Sequence, residues 1–290
     1  MRALLPACGA PGYAAAVLAF LCALTGGAAH AQQPDPNAAY ANEVIVAQLP
    51  DRSIAALLTY KADLKQFTHA VAIFPGDPGR GNLRVEAGEI NYDNQRGNFL
   101  VRTRRFFAEE GFLAVVIDAP SDYQTGGLFH HSFRASGRYG EDVRAVLAAV
   151  AARFGTLDWT FAGHSEGTVS ATHAARMGAP YVKRLVLASS LTMANYQGAG
   201  LRTSDFKGIN VPVLWVHHKD DPCRWTAYGR ARDYARDTQA ALLTVNGAKN
   251  SRGDACQPFS EHGFVGMEAP TVSAIIAWIS TGQAPPDVAP

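Results

Sequence analysis

Apolar residues along this chain fall into two kinds of run, and the two kinds alternate. Glu43 to Leu49 and Ile54 to Tyr60 are apolar or alternating runs separated by Pro50-Asp51, which predicts an antiparallel strand pair. His69 to Phe74, Phe112 to Ile117, Trp159 to Ala162, Val182 to Ala188, Val213 to Val216 and Ala241 to Val245 are short and continuously apolar, as buried strands are. Helical spacing marks Asn98 to Glu110, with Gly111 as its stop, then Tyr139 to Phe154 and the Ala-rich Thr168 to Met177. It marks Trp225 to Arg236, which has a basic solvated face, and Thr271 to Ile279 as well. Strands that alternate with helices and are apolar on both faces predict an α/β fold: a mostly parallel central sheet with helices on both sides.

The connections are uneven in length. Asp77 to Arg96, Ala119 to Arg138, Ser189 to Val211 and Asn246 to Pro270 are much longer than the rest. Long loops within a domain are usually functional, and at the carboxyl ends of parallel strands they surround the ligand crevice. Residues 285 to 290 are Pro-rich and predict a frayed, disordered tail.

The amino-terminal 31 residues differ in composition from the rest of the chain. Arg2 is their only charged side chain at pH 7, Ala14 to Leu24 is apolar, and Ala29-His30-Ala31 offers an A-x-A pattern before Gln32. The expectation is a secretory signal cleaved after Ala31, since an eleven-residue run is too short to span a bilayer. Residues 32–284 then make one domain of ample core size, located in the periplasm or the medium. With Arg2 removed, acidic and basic side chains balance, so nothing steers the chain to nucleic acid or an anionic membrane surface. Cys223 and Cys256 remain after cleavage and predict one disulfide, worth roughly 3 to 4 kcal/mol in the chain-entropy model. They lack the paired C-x-x-C spacing of a zinc site, and no metal or cofactor is expected.

Chemistry concentrates at Gly163-His164-Ser165-Glu166-Gly167, which comes after a short apolar strand and precedes a helix. In that setting Gly-x-Ser-x-Gly is a nucleophile elbow. A serine extruded at a sharp strand-to-helix turn needs a strained backbone, and side chains two residues away on either side would collide with the neighbouring strand and helix. An N-cap serine on an ordinary helix is the plainer alternative. A serine nucleophile needs a base and a carboxylate to orient it. Asp220 or Asp221 comes after the Val213 strand, with Asp221 further into the turn, and His262 is the only histidine downstream of them. His69, His173, His217 and His218 read as structural.

These segments resemble the α/β-hydrolase superfamily over nearly the whole chain from Glu43 to Ile279: the Gly163-to-Gly167 elbow, the Ile209-to-Leu214 approach to Asp221, and the His262-Gly263-Phe264 turn. The resemblance implies Ser165 as nucleophile, His262 as base and Asp221 as acid, in the Ser, Asp, His order of that superfamily. Some relatives carry the acid after the strand that comes next after the elbow helix, but Leu187-Ala188-Ser189-Ser190 contains no carboxylate. It also implies an oxyanion hole made by the backbone N–H of Glu166 and of a residue in Pro75-Gly76-Asp77, with Asp77 expected and Gly76 the alternative. A Cys223–Cys256 bridge would then tie the acid loop to the base loop.

Ser189 to Asn210 is too short for a large lid domain, so an open crevice is expected, with His130, His131, Phe133, Tyr123 and Tyr196 either lining it or lying on the loop surface. The function implied is hydrolysis of carboxylic esters of a small-molecule or acyl substrate. A peptidase or amidase on the same triad, or a non-catalytic binding protein of this fold, is the alternative. Oligomeric state is not legible.

Overall fold

The computed structural model describes residues 35, 37–125, 129–177 and 181–290, so the signal-peptide expectation for residues 1–31 lies outside them. The first strands, β1 (Tyr40–Gln48) and β2 (Ser53–Lys61), form the expected antiparallel pair in full register from Tyr40↔Lys61 to Gln48↔Ser53. β3 (His69–Phe74) is followed by a small hairpin of β4 (Arg84–Glu86) and β5 (Glu89–Asn91). Then come α1 (Phe99–Arg102), α2 (Arg104–Glu109), β6 (Leu113–Pro120), α3 (His131–Arg134), α4 (Gly137–Phe154), β7 (Asp158–His164) and α5 (Gly167–Arg176). The chain finishes with β8 (Val182–Ala188), β9 (Val213–His218), α6 (Tyr228–Asp237), β10 (Ala241–Val245), α7 (Glu268–Thr281) and β11 (Asp287–Val288).

Among the described residues the main sheet has nine strands in the order β1-β2-β6-β3-β7-β8-β9-β10-β11. β1, β2 and β6 pair antiparallel, and every other pair is parallel. The continuous apolarity of the central strands is a consequence of this topology. In β3, Ala70, Ala72 and Phe74 belong to a core shared with α4, α5 and α6, while Val71 and Ile73 belong to a second core with α1, α2 and α7. β6 is buried at all eight positions for the same reason.

Several boundaries moved for local reasons. The single helix expected over Asn98 to Glu110 is two short ones, because Thr103 leaves helical geometry (φ −96°, ψ 3°) and its hydroxyl donates to the Phe99 carbonyl at 2.8 Å. α4 begins two residues early because the Ser136 hydroxyl caps it, accepting from the Tyr139 N–H at 3.2 Å. α6 begins at Tyr228 rather than Trp225, since the preceding residues turn back with Thr226 N–H on the Cys223 carbonyl. The tail is a correction: residues 285–290 are not frayed throughout, for β11 pairs parallel with β10 and Val288 is buried. Sequence offers only two apolar residues there, too few for a periodic signal.

The long connections 77–96, 119–138, 189–211 and 246–270 leave the carboxyl ends of β3, β6, β8 and β10. No lid helix occurs within 189–211; its only regular element is a single 3-10 turn, Thr203–Phe206. The 77–96 loop is anchored by buried Asp118 at the end of β6, whose carboxylate accepts from the N–H groups of Gly81 at 2.6 Å and Leu83 at 2.7 Å.

Candidate active site

The turn from β7 into α5 has the strain its sequence predicts. Ser165 sits at φ +57°, in the left-handed region. A Cβ on Gly163 would lie 2.5 Å from the Gly167 carbonyl oxygen, and one on Gly167 would lie 1.9 Å from the Phe74 oxygen of β3. Neither position accepts a side chain without moving backbone. The Ser165 N–H donates to the Ala188 carbonyl of β8 at 3.0 Å, which ties the elbow to the next strand.

Ser165 opens onto a crevice of about 520 Å³ at the carboxyl end of the sheet, and His262 lines the same crevice. His262 lies on a 3-10 turn, Glu261–Gly263, capped by the Ser260 hydroxyl. Its Nδ1 pairs with Asp221 Oδ2 at 3.1 Å, both side chains being almost wholly buried. Asp221 also accepts from the Cys223 N–H at 2.9 Å and the Thr226 hydroxyl at 2.8 Å. Burial pushes the Asp221 carboxyl up, but His262 and these donors outweigh it and hold it below its ordinary value. Asp220 points elsewhere: it is exposed, and its N–H donates to His218 Nδ1. Among the described residues no hydrogen bond joins Ser165 Oγ to His262, a contact that commonly closes only with substrate bound.

Cys223 and Cys256 are bonded, with Cα atoms 4.7 Å apart. The bridge joins the turn carrying Asp221 to the loop carrying His262, and Cys256 itself lines the crevice.

A second set of contacts holds the main chain of His262, and sequence reading missed it. The His262 carbonyl accepts from Ser189 Oγ at 2.7 Å and from His164 Nε2 at 3.0 Å. His164 Nδ1 accepts in turn from the Asn98 amide at 3.1 Å. Burial foremost, then the charge of nearby His262, lowers His164 to about 3, so it is the neutral tautomer with its proton on Nε2. Asn98, His164 and Ser189 come from α1's edge, β7 and the end of β8, and nothing in their local sequence marks that convergence.

Glu166 and Asp77 both line the crevice beside Ser165, as does Gly76, whose added Cβ would stand 3.1 Å from Ser165 Cβ. Among the described residues the backbone N–H groups of Gly76, Asp77 and Glu166 have no protein acceptor. Both acidic side chains are engaged away from Ser165. Buried Glu166 is hydrogen-bonded to His131 and Asn195, and Asp77 to Gln197 and, at 2.9 Å, to the Tyr196 hydroxyl. Burial favours a protonated Glu166, yet His131, Arg134 and Asn195 together hold its carboxyl below the usual range.

Of the five residues expected at the crevice or on the loop surface, Tyr196 alone lines it. Tyr123 and Phe133 stack on each other with centroids 3.9 Å apart, next to the α4 core, and His131 is buried. Their loop folds inward because Phe129, Phe133 and Tyr139 supply an aromatic cluster for it to cover.

No family model and no curated protein matches the chain. Solved structures do. Est1E from Butyrivibrio proteoclasticus, solved with ferulic acid, is 16% identical, with 82% of this chain covering 100% of that one at a TM-score of 0.55. A dienelactone hydrolase-like promiscuous phosphotriesterase from metagenomic libraries is 19% identical, covering 83% and 98% of the two chains at 0.52. The chain has the α/β-hydrolase fold. A cold-adapted esterase from an Arctic intertidal metagenomic library resembles it too, at 14% identity, 72% and 85% coverage and a TM-score of 0.52. Within the α/β-hydrolase fold, then, the Gly163-to-Gly167 turn and the 189–211 and 246–270 loops occupy the crevice end of the sheet.

Proposed function

We propose that this chain is an exported serine hydrolase that cleaves carboxylic esters of small molecules through an acyl-enzyme. The observation that carries the reading is the strained Ser165 elbow opening onto the crevice that also holds a buried His262–Asp221 pair. Ser165 Oγ attacks the ester carbonyl as His262 Nε2 takes its proton, and the Nδ1–H bond to Asp221 stabilises the imidazolium that forms. The negative charge that develops on the carbonyl oxygen is met by the N–H groups of Glu166, at the amino end of α5, and of Asp77. His262 returns the proton to the departing alcohol, and water repeats the attack on the acyl-enzyme. Asp221 as the acid is supported by its three donors; Asp220 makes none of those contacts. Export is supported by the amino-terminal composition and by the disulfide, which belongs to oxidising compartments.

The test is labelling of the oxidised protein with a fluorophosphonate, beside Ser165→Ala and His262→Ala. Labelling of the wild type that vanishes in both variants, followed by turnover of p-nitrophenyl esters, is the expected outcome. Failure of the folded, oxidised wild type to label would overturn the assignment.

A further inference from the structure

We infer that the tight turn Asn195-Tyr196-Gln197-Gly198, on the loop after β8, is the positioning device of the oxyanion hole. The inference rests on the serine-hydrolase proposal. Three consecutive side chains of this turn hold the carboxylates of the two residues proposed to donate their backbone N–H groups to the oxyanion. The Asn195 amide donates to Glu166 Oε1, the Tyr196 hydroxyl donates to Asp77 Oδ2 at 2.9 Å, and the Gln197 amide donates to Asp77 Oδ1. Glu166 and Asp77 belong to different strand ends, those of β7 and β3, and this turn is where both are tied to one piece of chain.

The turn is itself rigidly built. Asn195 and Gly198 exchange backbone hydrogen bonds at 2.9 and 3.3 Å. Asn195 Oδ1 accepts from the N–H groups of Gln197 at 2.8 Å and Gly198 at 3.2 Å, which fixes the amide orientation and points Nδ2 at Glu166. The Gln197 carbonyl accepts from the His131 N–H at 3.2 Å, and His131 in turn donates from Nε2 to Glu166 while its Nδ1 accepts from the Gly200 N–H at 3.1 Å. Gln197 is buried.

The turn acts on the reaction in two ways. A carboxylate beside a developing oxyanion opposes it, and amide and hydroxyl donors that draw both carboxylates toward the turn reduce that opposition. An oxyanion donor is also effective only where it already lies before the charge appears, so a turn that locks Glu166 and Asp77 sets the barrier and leaves ground-state binding largely alone.

The experiment compares Asn195→Asp, Gln197→Glu, and the double variants Asn195→Asp/Glu166→Gln and Gln197→Glu/Asp77→Asn. Each single variant sets two carboxylates against each other, and each double variant restores a carboxylate–amide hydrogen bond of reversed polarity. The readouts are kcat and KM on a p-nitrophenyl ester, the rate of fluorophosphonate inactivation, and thermal unfolding. Each single variant should lose about 10- to 100-fold in kcat and in inactivation rate, with KM changed less than about threefold, a smaller loss than the roughly 100- to 1,000-fold that follows removal of an oxyanion donor, since the donors are displaced and not removed. Each double variant should recover most of that loss. Single variants that inactivate at the wild-type rate, or doubles that regain unfolding temperature but not kcat, would overturn the inference. A wild type that fails to label overturns the serine-hydrolase reading instead, so the two failures are distinguishable.

Discussion

The two sides of the crevice are held in different ways. On the elbow side, Ser165 and Glu166 are set by backbone geometry within five residues: a positive φ at Ser165 and two glycines pressed against neighbouring main chain. On the side proposed to supply base and acid, His262 and Asp221 lie on loops separated by 41 residues, and they are held by side-chain hydrogen bonds and one disulfide. The first side is rigid because hard-sphere contacts leave no alternative. The second is rigid only while the disulfide and a set of hydrogen bonds persist, the latter worth about 1 to 3 kcal/mol each. His164 joins the two, since it belongs to the elbow strand and donates to the His262 carbonyl.

Steric rigidity on one side and bonded rigidity on the other should respond to different perturbations. Gly167→Ala should have the largest effect, because its new methyl would lie 1.9 Å from the Phe74 oxygen, which is main chain and cannot swing aside. A loss of more than about 4 kcal/mol in urea unfolding is expected, above the usual cost of overpacking. Gly229→Ala, in α6 with nothing within 4 Å of the added methyl, should instead be neutral or stabilise by about 0.5 to 1 kcal/mol. Equal effects at the two glycines would show that the elbow is not a steric device.

Removal of the Cys223–Cys256 bond tests the other side. Reduction, or Cys223→Ser/Cys256→Ser, should cut the proposed turnover of a p-nitrophenyl ester at least about tenfold under conditions where far-UV circular dichroism still reports the intact sheet. The stability loss should be roughly 3 to 4 kcal/mol on the chain-entropy model. Activity and dichroism that disappear together in a reductant titration would mean that the bond serves the fold alone.

The effect that is smallest at neutral pH concerns the buried histidines. Burial lowers His164 to about 3 and His217 to about 4, and His217 Nε2 accepts from the Ser190 N–H at 2.8 Å, which requires that nitrogen to be unprotonated. Both histidines stay neutral in the folded protein at pH values where the unfolded chain protonates them. Below about pH 6.5 the unfolded state therefore binds more protons, and stability falls as pH drops from there toward about 4. The slope should approach about 1.4 kcal/mol per pH unit for each histidine. His217→Gln should remove about half of it, as read by urea midpoints between about pH 6.5 and 4.5. An unchanged slope would assign the acid sensitivity to other groups.

Much of the architecture was legible because it repeats a local rule. Continuous apolar runs marked β3, β6, β7, β8, β9 and β10, since a strand covered on both faces has no polar position to spare. The elbow was legible for the opposite reason: its two glycines are the residues that a sharp turn cannot do without. The disulfide partners were legible by elimination, being the two cysteines outside the amino-terminal segment. What escaped were side chains whose meaning lies in a distant partner. His131 reads as a loop histidine until Glu166 comes within reach, and Asn98 as the opening residue of a helix until His164 packs against it.

The chain by itself determined the order of elements and the strand-to-helix turn at Ser165, because each depends on the residue types of adjacent positions and on backbone sterics. Tertiary structure decided which of Asp220 and Asp221 meets His262, what braces the His262 main chain, and where the carboxylates of Asp77 and Glu166 are turned. Those outcomes depend on three-dimensional distances between loops that leave different strands. Hydrogen bonds are satisfied within about 3 Å whatever the separation in sequence, so no local pattern records them.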